Sequence, residues 1–314
     1  MSDRINILFL GGAKRYSLAE RFIKAGKTIG KAIKIYSYEL NNDVPISGIA
    51  SVIVGLKWDD KNIETHLSNI VEKNKINIIL PFLDPAISLA ADLKFKFKNE
   101  VFIPVSGRAI CDIHYDKVLA NDWFKKQKIP VPSTEHNKFP LIAKPRKGSA
   151  SKGILIINNE KDFKVFKEEN SQSKFLIQQF IDATEYSVDA YVDTSERILG
   201  IVPRQRLEIS AGEVTKSITE RNINIINYSR RILKAGHFKG PVTIQFLLEH
   251  STGKVFVLEI NPRFGGGVIN SIEAGFNIPL LILNEYLNRE NKIIDNWKEN
   301  LLMMRVHREV FLCK

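Results

Sequence analysis

Cysteine is scarce in this sequence of 314 residues, and long hydrophobic runs are missing. Cys111 and Cys313 are the only cysteines, too far apart in the chain to indicate a disulfide framework or a metal-ligating motif. No run reaches the roughly 18 apolar residues that a membrane-spanning helix requires. The amino-terminal segment has its apolar residues in a strand-like pattern and lacks a cleavable signal. These features predict a protein of the reducing cytoplasm with no membrane partner.

Arginine-rich blocks and aromatic stacking motifs are also missing, although the chain is basic. Its 46 Lys and Arg residues outnumber its 35 Asp and Glu residues and give a formal net charge of +11. Such a charge is compatible with nucleic-acid binding. Without those motifs it favours a solvated basic surface, a few of whose charges are enough for a polyphosphate pocket. We therefore expect no nucleic-acid partner.

Several familiar functional signatures are absent too. The apolar run at 5–10 is followed by Gly11-Gly12, but the complete G-x-G-x-x-G of a dinucleotide site is not present. The basic glycine loop at 146–153 does not end in Gly-Lys-Ser/Thr, so it is not a Walker A motif. No Ser/His or Cys/His constellation marks a nucleophile. The sequence thus marks no residue for covalent attack by the protein.

The first 105 residues alternate between strand-like and helix-like patterns. This alternation predicts a parallel, helix-covered sheet that opens with a Rossmann-like strand, glycine turn and helix. Asp84 follows the strand at 76–81, at the edge where open α/β sheets bind ligands. At the other end of the chain, residues 301–312 alternate as an edge strand does. The strands predicted in the first region are 5–10, 33–38, 49–54, 76–81 and 101–105.

Residues 240–267 have the pattern of a β-hairpin that ends in polar side chains. Same-face side chains on adjacent antiparallel strands lie about 5 Å apart, so Gln245 on the first strand would face Glu259 or Asn261 on the second. A carboxylate and two amide oxygens form an all-oxygen site, which suits Mg²⁺ bound together with a polyphosphate. The alternative is an ordinary hairpin with a polar end and a glycine loop.

Three arginines near this hairpin are candidates for holding phosphate or carboxylate oxygens. Arg263 follows Asn261 by two residues and lies on the same side if the chain stays extended. Arg204 and Arg206 stand at i and i+2 of an extended segment, so they face the same side and would clamp a transferred phosphoryl group or a substrate carboxylate.

The hairpin residues resemble the metal-binding signature of the ATP-grasp superfamily, in its carbamoyl phosphate synthetase-like branch of carboxylate–amine ligases. The matching residues are Gln245, Glu259-Ile260-Asn261-Pro262-Arg263 and Phe264-Gly265-Gly266. Many members have Glu or Asp where this chain has Gln245, a departure that removes one negative charge from the metal site. Weaker matches follow the family's order at 116–117, 144–153 and 178–189.

The resemblance covers nearly the whole chain and implies a mixed α/β fold. A Rossmann-like parallel-sheet domain at 1–105 would precede a two-lobed ATP-grasp fold, with a small lobe at 106–180 and a carboxy-terminal lobe at 181–314. The loop at 147–153 would present backbone N–H groups to phosphates and close over them as a lid. A flexible surface hairpin is the alternative for that loop.

The resemblance also implies ATP as the nucleotide and Mg²⁺, with Mn²⁺ as an alternative, as the metal. Gln178 would face the adenine amino group, Gln179 and Ile181 would use their backbone, and Glu185 would reach the ribose hydroxyls. Gln245, Glu259 and Asn261 would be the metal ligands, and Arg263, Arg204 and Arg206 the catalytic residues, with Arg263 steadying an acyl phosphate. The nucleotide-binding residues implied are Lys117, Lys144, Lys147, Gly148, Ser149, Gly153, Gln178, Gln179, Ile181 and Glu185.

By this resemblance the reaction is ATP-dependent activation of a carboxylate to an acyl phosphate, followed by attack of an amine or similar nucleophile. The partners would be small-molecule carboxylate and amine substrates, whose identity the sequence leaves open. A homodimer is possible, and the sequence does not decide the oligomeric state. Two other hypotheses remain. One is a non-catalytic nucleotide-binding protein, suggested by the neutral Gln245, and the other is a phosphotransferase that acts on a hydroxyl.

Overall fold

The computed structural model describes residues 3–98, 100–148, 152–210, 212–306 and 308–312, and over these residues the chain forms three sheets. The sheets follow the order of the three predicted segments, whose boundaries stay a prediction. Ser149 and the lid residues next to it lie outside the described residues, as do Cys313 and part of the tail. Within the described residues, no helix has both the length and the apolar character needed to cross a membrane.

The first sheet is parallel and has four strands in the order β3-β2-β1-β4. In β1, Ile7 and Phe9 join one apolar cluster while Leu8 and Leu10 join another, so both faces of the strand are buried. Burial on both faces is typical of a helix-covered parallel sheet and confirms the predicted α/β architecture. The elements are β1 (Arg4–Leu10), α1 (Tyr16–Thr28), β2 (Ala32–Glu39), β3 (Ser51–Val54), α2 (Ile63–Asn74), β4 (Ile78–Pro81) and α3 (Asp84–Lys96).

Two predicted strands are wrong in extent. The strand predicted at 101–105 is reduced to a single parallel bridge between Ile78 and Phe102. Pro104 has no N–H to donate to a ladder, although Val101 and Val105 are still buried by packing. The edge strand predicted at 301–312 spans only Leu302–Met304, because the chain then leaves the sheet edge and crosses to α1, where Arg308 pairs with Glu20.

The second sheet has three antiparallel strands in the order β6-β5-β7, preceded by two helices. Asp116 caps the second helix, because its Oδ1 accepts hydrogen bonds from the backbone N–H groups of Val118 and Leu119. Phe163 and Phe166 of the helix in this lobe pack into a small separate core. The elements are α4 (Arg108–Tyr115), α5 (Lys117–Lys126), β5 (Leu141–Pro145), β6 (Leu155–Ile157), α6 (Glu160–Glu169) and β7 (Phe175–Gln179).

The third sheet has six strands in the order β12-β11-β8-β9-β10-β13. The predicted hairpin is confirmed, since β11 pairs with β12 antiparallel and Gln245 lies opposite Glu259. The elements are β8 (Ala183–Val192), β9 (Ile198–Ser210), β10 (Glu213–Thr219), α7 (Ile223–Ala235), β11 (Gly240–Glu249), β12 (Val255–Asn261), α8 (Val268–Glu273), α9 (Ile278–Tyr286) and β13 (Leu302–Met304).

Candidate functional site

A cleft of about 1030 Å³, counted with its open mouth, is lined by residues of both the three-stranded and the six-stranded sheet. Part of its wall is apolar, and Phe180 in that part is 42% exposed. The rest of the wall is mostly charged or polar and includes the predicted residues Lys117, Lys144, Lys147, Gly148, Glu185, Arg206, Gln245 and Glu259. The predicted residues Gln179 and Ile181 line the cleft as well.

The strand geometry explains how apolar and charged residues reach one cleft. Ile142 and Lys144 are two residues apart on β5 and so point to the same side, as do Gln245 and Leu247 on β11. The pairing of β11 with β12 shifts register next to Gln245, which makes Leu258 an extra residue on β12. This bulge lets the consecutive residues Leu258 and Glu259 both line the cleft.

Apart from Ile181, the residues of the apolar wall are the part of the site that the sequence analysis did not name as ligand contacts. A signal was available, because each of Ile142 and Leu247 lies two residues from a predicted polar ligand on the same strand face. Phe180, directly after β7, gave no such signal. The apolar lining residues are Pro132, Ile142, Pro145, Ile154, Phe180, Ile181, Leu247 and Leu258.

A hydrogen-bonded network surrounds the carboxylate of Glu259. Its Oε1 accepts from Gln245 Nε2 at 2.8 Å and from Asn261 Nδ2 at 2.9 Å. Gln245 Oε1 accepts from Arg206 Nη1 at 3.0 Å, and Asn261 Oδ1 accepts from Arg263 Nη2 at 3.1 Å. The three residues predicted as metal ligands are thus brought together and supply a hard donor set of one carboxylate and two amide oxygens. Both amide nitrogens face Glu259, and both amide oxygens accept from arginine side chains.

This donor set contains a single carboxylate. No group of three or more His, Cys, Asp or Glu residues that could hold a metal ion occurs in the part of the chain that the structure describes. A site with one carboxylate and two amide oxygens fits Mg²⁺, because Mg²⁺ is usually bound through one or two carboxylates together with substrate phosphates. The residues present therefore fit the metal that the sequence suggested.

The cations of the cleft are only partly neutralised by carboxylates. Lys144 Nζ donates to Gln178 Oε1 at 3.3 Å, and Arg206 pairs with Glu185 at 2.9 Å. Burial lowers the pKa of Lys144, and the charge of Lys117 lowers it further, while Glu259 and Glu185 act in the opposite direction. Burial likewise lowers the pKa of Arg206 against the effect of Glu185. Buried cations in this state are stabilised by a polyanionic ligand.

Two predicted nucleotide contacts lie outside the cleft wall. Gln178 is buried and uses its side chain within the protein, since Nε2 donates to Asn121 Oδ1 at 3.0 Å and Oε1 accepts from Lys144. The side chain of Gln178 is therefore placed behind Lys144, where it orients the ammonium group, and not against an adenine. Gly153, which has a φ of +73°, does not line the cleft.

Arg204 is not brought to the cleft, although it shares a strand face with Arg206. It is 1% exposed, and its Nε donates to Asp189 Oδ2 at 2.7 Å. Ser271 Oγ donates to the same carboxylate oxygen at 2.6 Å. The two arginines do share a strand face, but the glycine segment Gly265–Gly267 covers Arg204. The predicted clamp by both arginines is therefore wrong for Arg204, and the role of Arg206 stays a prediction.

The glycine segment is explained by this buried ion pair. A Cβ atom on Gly267 would lie 2.5 Å from Arg204 Nη1, and one on Gly265 would lie 2.8 Å from Thr243 Oγ1 and 3.4 Å from Asp189 Oδ1. Because the ion pair fills the space beneath it, this backbone has room for no side chain at those two positions. The sequence analysis missed the pair, although Asp189 and Arg204 lie on strands that follow each other in the chain, and opposite charges on such strands were a usable signal.

Arg263, which follows β12, connects the end of that strand to the edge of the first sheet. Its Nε donates to Asp84 Oδ1 at 3.0 Å, its Nη2 lies 3.0 Å from the same oxygen, and its Nη1 donates to the Phe264 carbonyl at 3.3 Å. It does not line the main cleft. Its partners Asp84 and Asn261 line an adjoining cavity of about 390 Å³, which shares Glu259 with the cleft.

That adjoining cavity contains no ionised nucleophile at neutral pH. Burial raises the pKa of the Cys111 thiol to about 12 and lowers the pKa of the His114 imidazole to about 3. Both groups are therefore neutral, and a thiolate is the reactive form of cysteine. The charges that reach this cavity come from Asp84, Lys117 and Glu259.

Comparison with known proteins gives the class of this fold and site. A family model described as an ATP-grasp domain matches residues 114–267. Solved structures with the same fold include N5-carboxyaminoimidazole synthetase from Staphylococcus aureus, with a TM-score of 0.73, 20% identity, and coverage of 96% of this chain and 82% of that chain. Biotin carboxylase from Campylobacter jejuni gives a TM-score of 0.74 at 15% identity, and the match covers 95% of this chain and 74% of that chain. At these identities the likeness establishes the fold alone.

Curated relatives agree with the family model. The carbamoyl phosphate synthase large chain of Caldanaerobacter subterraneus subsp. tengcongensis is 32% identical over 223 residues, which are 62% of this chain and 20% of the relative. The D-alanine–D-alanine ligase of Petrotoga mobilis is 29% identical over 180 residues, 50% of this chain and 59% of the relative. The chain thus spans about a fifth of the carbamoyl phosphate synthase large chains it matches. It has the ATP-grasp fold, and residues 114–267 are an ATP-grasp domain, as the sequence motifs indicated.

Proposed function

We propose that the protein is a cytoplasmic, ADP-forming ligase that uses ATP and Mg²⁺ to activate a carboxylate as an acyl phosphate for attack by an amine or similar nucleophile. The observation that carries this proposal is the two-part cleft, in which an apolar wall adjoins partly neutralised cations and the Gln245–Glu259–Asn261 group. Relatives named carbamoyl phosphate synthase large chain and D-alanine–D-alanine ligase support the ligase class.

The two parts of the cleft suit the two parts of a nucleotide. Phe180 and the apolar residues around it would hold the base, and the backbone of Gln179 and Ile181 would contact its edge. Glu185 would reach the ribose hydroxyls. The cations of the cleft would bind the phosphates: Lys117, Lys144, Lys147 and Arg206. Placing charge around a transferred phosphoryl group is the main task of a protein in such chemistry.

Glu259, Gln245 and Asn261 would hold Mg²⁺ through oxygen atoms. When bound, Mg²⁺ neutralises charge on the phosphates during transfer. Arg206 and Arg263 donate to the two amide oxygens of this group and so orient the amide side chains. Arg263 also ties the group to Asp84 at the edge of the first sheet, where a substrate would meet the phosphates.

In the reaction that we propose, the terminal phosphoryl group of ATP passes to a carboxylate oxygen of the substrate and ADP leaves. The amine then attacks the carbonyl carbon, an amide bond forms, and inorganic phosphate leaves with the oxygen. None of these steps needs a protein nucleophile, which agrees with the neutral state of Cys111 and His114.

One observation favours a second candidate, a nucleotide-binding protein without turnover. Gln245 carries no charge, and its Oε1 accepts a hydrogen bond from Arg206 Nη1. Incubation of the protein with ATP, Mg²⁺ and a pool of carboxylates and amines separates the candidates. ADP, phosphate and amide formed in equal amounts support the ligase. Bound ATP without ADP formation supports the non-catalytic protein, and ADP with a phosphorylated hydroxyl but no free phosphate indicates a phosphotransferase.

The role of Lys144 is tested by Lys144→Met, which keeps the aliphatic stem and removes the charge. We expect ATP affinity measured by calorimetry to fall by roughly 1.5–3 kcal/mol, the usual contribution of a hydrogen bond to a charged group. The melting temperature of the free protein should not fall, because the ammonium group is desolvated by burial and its pKa is lowered. Lys164→Met on α6 is the matched control, since Lys164 is exposed on the same lobe. Unchanged ATP affinity in Lys144→Met would remove this assignment.

A further inference from the structure

A second ligand position lies at the carboxyl edge of the first sheet. In the strand order β3-β2-β1-β4, β2 lies on one side of β1 and β4 lies on the other side. The strand order therefore reverses at β1. The crevice at such a switch point, between the carboxyl ends of the two strands, is where open α/β sheets bind ligands. Arg15 lies in the turn between β1 and α1, and Asp84 is the first residue of α3, three residues after the end of β4. Arg15 is not part of the wall of the nucleotide cleft.

Three guanidinium groups from distant parts of the chain meet at this edge, around Gly266. Arg305, which follows β13, donates from Nη2 to the Gly266 carbonyl at 2.7 Å. A Cβ atom on Gly266 would lie 3.6 Å from Arg15 Nη1. Arg263 stands three residues before Gly266, and its charge is close enough to lower the pKa of Arg15. The lack of a side chain at Gly266 leaves the space beside Arg15 open.

The positive charge of this cluster is incompletely balanced. Arg263 pairs with Asp84 at 3.0 Å, and Arg305 pairs with Glu213 at 2.5 Å. Arg15 has no carboxylate within ion-pair distance among the described residues, and its guanidinium lies 5.8 Å from the centre of the Phe82 ring. Burial, and then the charge of Arg263, lower its pKa to about 10, so it stays protonated at neutral pH. A poorly solvated cation of this kind is normally paired.

Other carboxylates near the edge are already engaged. Glu39 at the end of β2 accepts a hydrogen bond from Ser37 Oγ at 2.5 Å. Glu213 forms an ion pair with Arg305, and its Oε1 also lies 3.9 Å from Nζ of the exposed Lys14. Glu213 acts on Arg15 from beyond ion-pair distance and raises its pKa. No acidic side chain of the described residues pairs directly with Arg15, and an anion from outside the protein would do so.

We propose that Arg15 and Arg305, beside Gly266, bind an oxyanion of a small-molecule substrate, a carboxylate or phosphate group in addition to the group that reacts. This inference rests on the proposed ligase function and specifies its substrate class. Arg263 donates to Asn261, and Asn261 donates to Glu259, so two hydrogen bonds connect Arg263 of this cluster to the carboxylate in the cleft. A substrate with its reacting group at Glu259 would thus extend its anionic end toward Arg15.

The proposal is tested on the full chain with Mg²⁺ and a saturating non-hydrolysable ATP analogue, which keeps the probes out of the nucleotide cleft. Sodium phosphate and sodium acetate are titrated by calorimetry against sodium chloride at equal ionic strength. The parent should bind at least one of the two oxyanions and not chloride. Arg15→Gln should raise the Kd of that anion roughly tenfold or more, as expected for a lost charged hydrogen bond. Arg15→Lys should raise it less.

Lys14→Gln is the matched control, since it removes the same charge from the neighbouring residue, which is 75% exposed. Its Kd should stay within about twofold of the parent. Binding of phosphate alone or acetate alone supports the proposal and identifies the group. Failure of the parent to bind either anion, or equal loss in Arg15→Gln and Lys14→Gln, overturns it. Failure of the ATP analogue to bind is recorded in a separate titration and counts against the nucleotide function instead.

Discussion

Glu259→Gln is expected to lose most ATP-dependent product formation while the protein still folds. Glu259 is the single carboxylate of the Gln245–Glu259–Asn261 group, so the change removes the negative charge that would hold a divalent ion. We expect turnover to fall on the order of a hundredfold or more, the scale on which one electrostatic contact to the transition state acts. The melting temperature should stay within a few degrees of the parent, because glutamine keeps the shape and one acceptor oxygen.

Glu249→Gln is a suitable control for this experiment. Glu249 is on the same hairpin at the far end of β11, where it bonds to Thr252 in the turn and does not line the cleft. The same chemical change there should leave product formation near the parent value. If Glu259→Gln keeps full activity on a substrate that the parent uses, the metal assignment is wrong and the polar end of the hairpin is structural.

Arg204→Leu is expected to cost about 3–5 kcal/mol of folding free energy, the usual effect of removing one partner of a buried ion pair. Among the described residues, the change leaves the carboxylate of Asp189, which is 1% exposed, with only the Ser271 hydroxyl as a hydrogen-bond partner. It also removes the group that fills the space beneath Gly267. Urea unfolding of the parent and the variant gives the difference directly.

Two further variants make this test specific. Removal of both charges in Asp189→Leu/Arg204→Leu should recover part of the loss, because no uncompensated charge stays buried. Arg197→Leu breaks the Arg197–Asp193 pair, which has a similar Nε–Oδ2 distance of 2.8 Å but an arginine side chain that is 49% exposed. That control should cost less than Arg204→Leu, because the Asp193 carboxylate, although only 5% exposed, keeps the hydrogen bond from the Arg197 backbone N–H. Equal losses in Arg204→Leu and Arg197→Leu would contradict the account of the buried pair.

Part of the site was readable from the sequence because it depends on near neighbours. The alternation of 242–248 and the turn that follows predicted a hairpin, and the hairpin predicted which side chains meet across it. The structure places Gln245 opposite Glu259 and gives Asn261 a bond to the same carboxylate. Ile142 and Lys144 on β5 are a similar case, because side chains two residues apart on a strand point to the same side of the sheet.

Other predictions failed where a distant element decided the result. Arg204 and Arg206 share a strand face. The glycine segment Gly265–Gly267, which comes more than sixty residues later in the chain, covers Arg204 but not Arg206. Gln178 was expected to face the adenine base, but its Nε2 donates a hydrogen bond to Asn121 Oδ1 on α5. The edge strand at 301–312 stops at Met304, because the tail turns to α1.

By itself, then, the sequence determined the order of strands and helices, the polar hairpin and the ATP-grasp resemblance, because each depends on periodicity and spacing within a few tens of residues. Tertiary structure decided which of these side chains are available to a ligand. Arg15 and Arg305 meet at Gly266 only because the tail crosses back to the first sheet. Burial and charge balance arise from such long-range contacts, and no local pattern encodes them.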